Sequence, residues 1–177
     1  MLSVQEYAAI YAKAGPRLQV ITDLCIRTGE RISDVLKIRT ADLTDDGIRF
    51  VQMKTGAKRV VPWTPELRAI VERSKSLHQH IRALTLLHNR RGKAPDYSTV
   101  KIQWDKARKA AGIPDVTLHD LRAMAATHAK RQGKNPTALL GHTSPAPTAR
   151  YLRDLEEVIA EGPSFGELSG GQSMRAH

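Results

Sequence analysis

Apolar side chains along this 177-residue chain recur at helical spacing, switch once to a short strand-like stretch, and then return to helical spacing. Ser3, Val4, Gln5 and Glu6 have the spacing of a capping box, in which serine and glutamate each satisfy an orphan N–H of the first turn. Tyr7, Ile10, Tyr11 and Ala14 continue along one face until Gly15-Pro16 stops the run. A second helix is predicted over 17–28, with Leu18, Ile21, Leu24 and Cys25 inward and Gly29 as its stop. The next helix is expected to start near Arg31. Its apolar stripe of Ile32, Val35 and Leu36 places Arg31 and Asp34 three apart on a neighbouring face.

The period changes at Asp45-Asp46-Gly47, a turn signal. Residues 48–53 have strand composition, Thr55-Gly56 marks a tight reversal, and 58–62 read as the return strand, with Lys54 at the hairpin tip. Thr64-Pro65-Glu66 then supplies a capping hydroxyl, a first-turn proline and an acid, and Leu67, Ile70 and Val71 give the buried face. This pattern is extended through His78 to Leu87, with a break near Ser76. A basic loop, HNRRGKAPDYS, leads to a helix over 99–111 capped by Ser98, with Trp104, Ala107 and Ala111 inward and Lys101, Lys106, Arg108 and Lys109 outward. Thr117 is expected to cap a helix that carries His119, Asp120 and Arg122 in its first turn and packs through Leu121, Met124, Ala125 and His128. Asn135-Pro136 starts a short helix ending at Gly141, and Ser144-Pro145 opens another that contains Tyr151. The fold class is α+β, mainly helical, with a small antiparallel β-hairpin or three-stranded sheet near residues 47–63.

The length suits one domain with a proper core. No apolar run approaches the roughly 18 residues of a membrane helix, and no secretory signal opens the chain. Cys25 lies in the apolar run ITDLCI and reads as a small buried hydrophobe rather than a reactive thiol, which suits a reducing cytoplasm. Charge changes the picture more. The formal net charge is +10, made of 27 Lys/Arg against 13 Asp/Glu through residue 153 and one Arg against five acids thereafter. A basic body with an acidic tail points to a polyanionic partner, against the plainer reading of a soluble basic protein.

Several polar residues stand off the packing stripes. Arg31 with Asp34 is either a surface ion pair, worth little, or a guanidinium aimed into a cleft with the carboxylate holding its fork. Lys54 is a solvated turn residue or a flexible cation reaching into bound nucleic acid. His78 and His80 have no acidic or cysteine partner that would make them metal ligands. His119 and Arg122 fall at a helix N-terminus, which favours anions through its N–H groups and dipole. His142 falls on a turn. Tyr151, nine residues later, is an amphipathic packing residue unless the others accompany it.

Taken together these pieces resemble the tyrosine recombinases, the phage integrase family, in order and spacing. TGER (28–31) with Asp34 resembles that family's first arginine box, and Lys54 before Thr55-Gly56 resembles its hairpin lysine. LHDLR (118–122) resembles its His-x-x-Arg box, LLGH (139–142) the second-histidine box, and TARYL (148–152) the nucleophile segment. The likeness covers about residues 3–155, and five motifs in order are specific where one alone is weak.

The resemblance implies a helical catalytic domain over 1–155 and DNA strand breakage and rejoining without a cofactor or metal. Tyr151 would attack a DNA phosphodiester to give a 3'-phosphotyrosyl link and a free 5'-hydroxyl. Arg31 and Arg122 would clamp the non-bridging oxygens, His119 and His142 would assist by hydrogen bonding and proton transfer, and Lys54 would protonate the leaving oxygen. Asp34, where the family more often has glutamate, would orient the arginines. Such chemistry suits these residue types. Guanidinium forks match the oxygens of a five-coordinate phosphorus, and losing one preorganised donor typically costs about 3 kcal/mol of barrier. Tyrosine, with a free pKa of about 10, is only about one part in a thousand ionised at neutral pH, so a base or cationic field must assist it.

The implied partner is double-stranded DNA, the implied setting the cytoplasm of a bacterial or phage-infected host cell, and the implied process DNA integration or recombination by a phage or mobile element. A homo-oligomer on DNA is expected, and the acidic tail, 156–177, is expected as a short helix that packs on a neighbouring subunit, followed by a disordered Gly/Ser-rich end. The family's N-terminal DNA-clasping domain is expected to be absent. The alternatives are a type IB topoisomerase, which relaxes supercoils through the same phosphotyrosine logic, and a DNA-binding module without catalysis.

Overall fold

Ser3 closes the capping box that its spacing predicts. In the computed structural model of the protein, which describes residues 2–51 and 58–141, the Ser3 hydroxyl accepts the Glu6 N–H at 3.2 Å and the Glu6 carboxylate accepts the Ser3 N–H at 2.8 Å. Helix α1 (Val4–Lys13) follows. Pro16 then occupies the first turn of α2 (Pro16–Thr28), so the proline that halts one helix opens the next.

Helix α2 is the central element. Leu18, Val20, Ile21, Leu24 and Cys25 are buried along it, and its neighbours wrap that face. A short α3 (Ile32–Val35) and a 3-10 turn (Thr40–Asp42) lead into the strands β1 (Gly47–Val51) and β2 (Lys58–Pro62), which form an antiparallel pair in the register Gly47 to Pro62 through Val51 to Lys58. Ile48 and Val61 meet on the buried side of this pair. Among the described residues the sheet has two strands, the smaller of the two expected forms. Helix α4 (Pro65–Ser76) begins as expected, with the Thr64 hydroxyl accepting the Leu67 N–H at 3.1 Å. It lies against α2, as does α6 (Asp120–Arg131), while α5 (Tyr97–Ala110) covers α1 and α7 (Pro136–Leu139) packs on α6. No helix of the described residues is long and apolar enough to cross a membrane.

Three helix boundaries differ from the sequence pattern. The run past Ser76 is not helical: the Leu77 N–H turns back to Ser74, and the following chain extends so that Leu86 N–H reaches the Ile38 carbonyl at 2.8 Å. Leu86 and Leu87 are buried by that pairing, and their apolar period is a matter of core contact rather than helix continuation. Helix α5 starts one residue before Ser98, at Tyr97 with Asp96 in the cap position, and the Ser98 hydroxyl donates to the Asp96 carboxylate. The Thr117 carbonyl accepts the Asp120 N–H at 3.1 Å, but its hydroxyl does not cap the helix; the Thr117 N–H and hydroxyl both donate to the Asp120 carboxylate at 2.8 Å. An acid in the first turn outcompetes a neutral hydroxyl for donors at the helix start.

The outward stripe of α5 is partly neutralised. Lys101 and Arg108 both reach Asp105, at 2.8 and 2.7 Å, while Lys106 and Lys109 remain exposed cations. His78 takes a hydrogen bond from Arg17 at 2.8 Å, so that ring nitrogen is occupied by a cationic donor.

Cys25 is as buried as the sequence suggests. Its 2% exposure and the nearby Glu30 carboxylate push the thiol up to about 12. The thiolate is the reactive species, so iodoacetamide at pH 7.5 is expected to leave the folded protein unmodified while alkylating it fully in denaturant. Mass spectrometry reads the difference; rapid alkylation of the folded protein would contradict this placement.

Candidate active site

The site is built around the end of α2. Thr28 donates its hydroxyl to the Leu24 carbonyl at 2.7 Å, and Gly29 ends the helix in the left-handed region at φ 67°, its N–H bonded to the Cys25 carbonyl at 2.9 Å. Glycine is needed here on two counts. A side chain at this φ is strained, and a Cβ would come within 2.8 Å of the Leu139 side chain and 3.1 Å of its carbonyl oxygen. The end of α2 and the end of α7 thus pack as directly as backbone allows.

Two arginines cross this contact. Arg122, on the first turn of α6 and 3% exposed, donates through one guanidinium nitrogen to the Gly29 carbonyl and through the other to the Leu140 carbonyl at 2.6 Å. Both acceptors sit at helix C-termini, where carbonyls lack intrahelical partners and the dipole favours a cation. Arg59, from β2, donates to the Thr28 carbonyl at 3.1 Å, the Ala138 carbonyl at 2.8 Å, and the Glu30 carboxylate. Glu30 is buried, at 2% exposure. Burial pushes its carboxyl above the ordinary carboxylate range, against the downward pull of Arg59 and Arg122.

Arg31 follows directly. Its backbone occupies the cap position of α3, where its carbonyl accepts the Asp34 and Val35 N–H groups at 2.9 and 3.0 Å, and its side chain is exposed. Among the described residues Arg31 and Asp34 form no side-chain ion pair, so the surface-pair reading of these two is set aside. His119 is exposed at the cap position of α6, and its carbonyl accepts the Arg122 N–H at 3.1 Å. Arg122 grips the carbonyl two residues before Arg31, and His119 precedes Arg122 by three residues, so the backbone at Arg31 lies beside the start of α6 from about ninety residues away. Lys54, His142 and Tyr151 lie outside the described residues. The described chain reaches Gly141, one residue short of His142.

Sequence reasoning missed Glu30 and Arg59. A signal for them existed in the strand period: Val61 faces inward, so Arg59, two residues earlier, shares its face, while Lys58, Val60 and Pro62 are exposed. A cation on an inward strand position requires an anion, and Glu30 in TGER is that anion. Among the described residues no group of three or more His, Cys, Asp or Glu converges as a metal site would require.

With this geometry in hand, comparison with known proteins assigns the family. The phage integrase family profile matches residues 1–157, and the chain belongs to that family. Integrase of Escherichia phage HK022 is 32% identical over 163 residues, covering 85% of this chain and 46% of the relative. A tyrosine recombinase XerC of Staphylococcus carnosus is 31% identical over 146 residues, covering 77% and 49%. The chain spans about half the length of these relatives. Among solved structures, the lambda integrase catalytic core superposes with a TM-score of 0.72 at 25% identity, over 80% of this chain and 90% of that one. A lambda integrase dimer bound to a COC' core site gives 0.77 at 24% identity, over 94% and 62%, which shows the shared mainly helical fold.

The two arginines differ in what they hold. Arg122→Ala is expected to destabilise the protein by about 3 kcal/mol or more, because two charge-assisted bonds to buried carbonyls are lost. Arg31→Ala, at an exposed position, is expected to shift stability by no more than about 0.5 kcal/mol. Urea-denaturation midpoints of the two variants check this, and equal midpoints would show that Arg122 does not brace the α2–α7 contact.

Proposed function

We propose that this chain is the catalytic domain of a site-specific DNA recombinase or integrase, acting through a 3'-phosphotyrosyl intermediate on Tyr151. The observation that carries the reading is the grip of Arg122 on the Gly29 carbonyl, two residues before Arg31, in a chain of the phage integrase family. The catalytic unit is residues 1–155, and the segment beyond acts as a tail that contacts a neighbouring subunit.

In this reading a scissile phosphate lies against the exposed Arg31 and the inner Arg122. Their guanidinia neutralise the charge that develops on the non-bridging oxygens as phosphorus becomes five-coordinate. Arg122 is held by two carbonyls, so its plane is set before DNA arrives and little reorganisation is left for the reaction. His119 and His142 supply hydrogen bonds and proton transfer, Asp34 orients the arginines, and Lys54 gives a proton to the departing 5'-oxygen. The tyrosyl ester conserves the energy of the broken bond, so a 5'-hydroxyl from another strand closes it without ATP. No cofactor enters.

The partner is double-stranded DNA, supported by the formal charge of +10. Lambda integrase has been solved as a dimer on a core site and as a tetramer on a Holliday junction, and an oligomer on DNA is proposed for this chain on that likeness. A cell interior that holds the DNA target, the cytoplasm of a bacterium or phage-infected host, is the corresponding location.

Incubation with nicked suicide duplexes, on which cleavage releases a short fragment and traps the enzyme, tests the reading. Denaturing electrophoresis is expected to show a covalent protein–DNA band with or without EDTA, and no band for Tyr151→Phe. A band that persists in that variant removes Tyr151 as nucleophile, and one that chelation abolishes removes the arginine-only account of the phosphate clamp.

A further inference from the structure

The recombinase reading uses Arg31 and Arg122 but leaves a partly buried ion pair, Arg59 with the buried Glu30, without a role. Arg59 and Glu30 lie in the same contact, and their partners are specific. Thr28, Gly29 and Glu30 are three consecutive residues; Arg59 takes the carbonyl of the first and the carboxylate of the third, and Arg122 takes the carbonyl between them. The same alternation occurs on the other side, where Arg59 takes Ala138 and Arg122 takes Leu140. Each guanidinium therefore bridges the same two segments.

We propose that Arg59, acting through Glu30, is a positioning residue for the Arg31–Arg122 phosphate clamp; the inference rests on the recombinase reading above. Arg59 stands opposite Phe50 in the strand pair, and Phe50 and Val61 are buried. Its stem therefore leaves a fixed strand, and its fork sets the height of the Thr28–Glu30 turn from which Arg31 immediately emerges. Glu30 supplies the anion that lets a second cation sit beside Arg122. Without that carboxylate, Arg59 would repel the clamp it braces. With it, the charge of Arg59 is balanced, and Arg31 and Arg122 are left to face phosphate.

A brace that serves only stability would slow every reaction of the folded enzyme alike, whereas a brace on the clamp matters only when the non-bridging oxygens carry charge. Single-turnover formation of the covalent complex is therefore measured on two nicked duplexes, one with the natural scissile phosphodiester and one with a neutral methylphosphonate there. Arg59→Ala and Arg59→Lys are expected to slow reaction with the phosphodiester by about 10- to 100-fold, the penalty of misplacing a catalytic group by about an ångström. On the methylphosphonate both are expected within about 3-fold of the wild type, since the charge the clamp answers is gone. Arg59→Lys keeps the stem and the cation but cannot reach three acceptors at once, so it carries the test if Arg59→Ala does not fold. An equal penalty on both duplexes, or none on the phosphodiester, overturns the positioning role. A wild type that forms no covalent complex on the phosphodiester overturns the recombinase reading and the positioning role with it, whereas a reactive wild type with uniformly slowed Arg59 variants overturns the positioning role alone.

Discussion

A buried guanidinium must find acceptors for its N–H groups, and the acceptors that Arg122 finds decide how the rest of the domain is arranged. Gly29 and Leu140 end different helices, and their carbonyls are among the groups a helix leaves without internal partners. One side chain thus satisfies two helix ends. The contact can close only because residue 29 has no Cβ; a methyl there would strike Leu139. The glycine, the arginine and the short α7 are one constraint expressed at three places in the sequence.

The charge distribution follows from the same contact. Arg59 and Arg122 both border Glu30, so two guanidinia act on one buried carboxylate, and Arg31 leaves the next residue. In water such a cluster would be screened; here burial raises the carboxyl toward its neutral form while the arginines favour its anion. The balance leaves a local excess of positive charge on the side where Arg31 is exposed. An anion with several oxygens is the ligand such an arrangement suits. A phosphodiester entering its transition state is one whose negative charge grows as it reacts, which converts binding into rate.

Much of this arrangement is legible in the sequence. The capping box at Ser3, the start at Thr64-Pro65, the glycine stop at Gly29 and the strand pair near 47–62 rest on local chemistry, and local chemistry is written in neighbouring residues. The helix ends that failed were those set by distant partners. Leu86 and Leu87 keep a helical period because they fill the core beside Ile38, and Thr117 gave up its capping role because Asp120 was a stronger acceptor than a hydroxyl. Among the site residues, motif order names Arg31, His119 and Arg122, and of the two readings left open for Arg31 and Asp34 the surface ion pair does not form among the described residues. Spacing on a helix shows which side chains share a face; it does not show that the helix is four residues long, with Arg31 outside it as the cap.

Glu30 and Arg59 were missed for a related reason. Each is unremarkable alone: one is the third letter of a four-residue motif, and the other is a basic residue in a strand next to lysine. Their meaning lies in a pairing across 29 positions, visible only when the inward face of β2 is laid against the end of α2. A division of labour follows. Arg31 is exposed and contributes little to holding the fold, Arg59 is committed to backbone carbonyls and Glu30, and Arg122, which holds two carbonyls, would also meet substrate in the proposed clamp. Stability and reactivity are carried by cations of the same type on neighbouring segments, and Arg122 serves both: the bonds that hold two helix ends also fix the guanidinium that the proposed clamp uses.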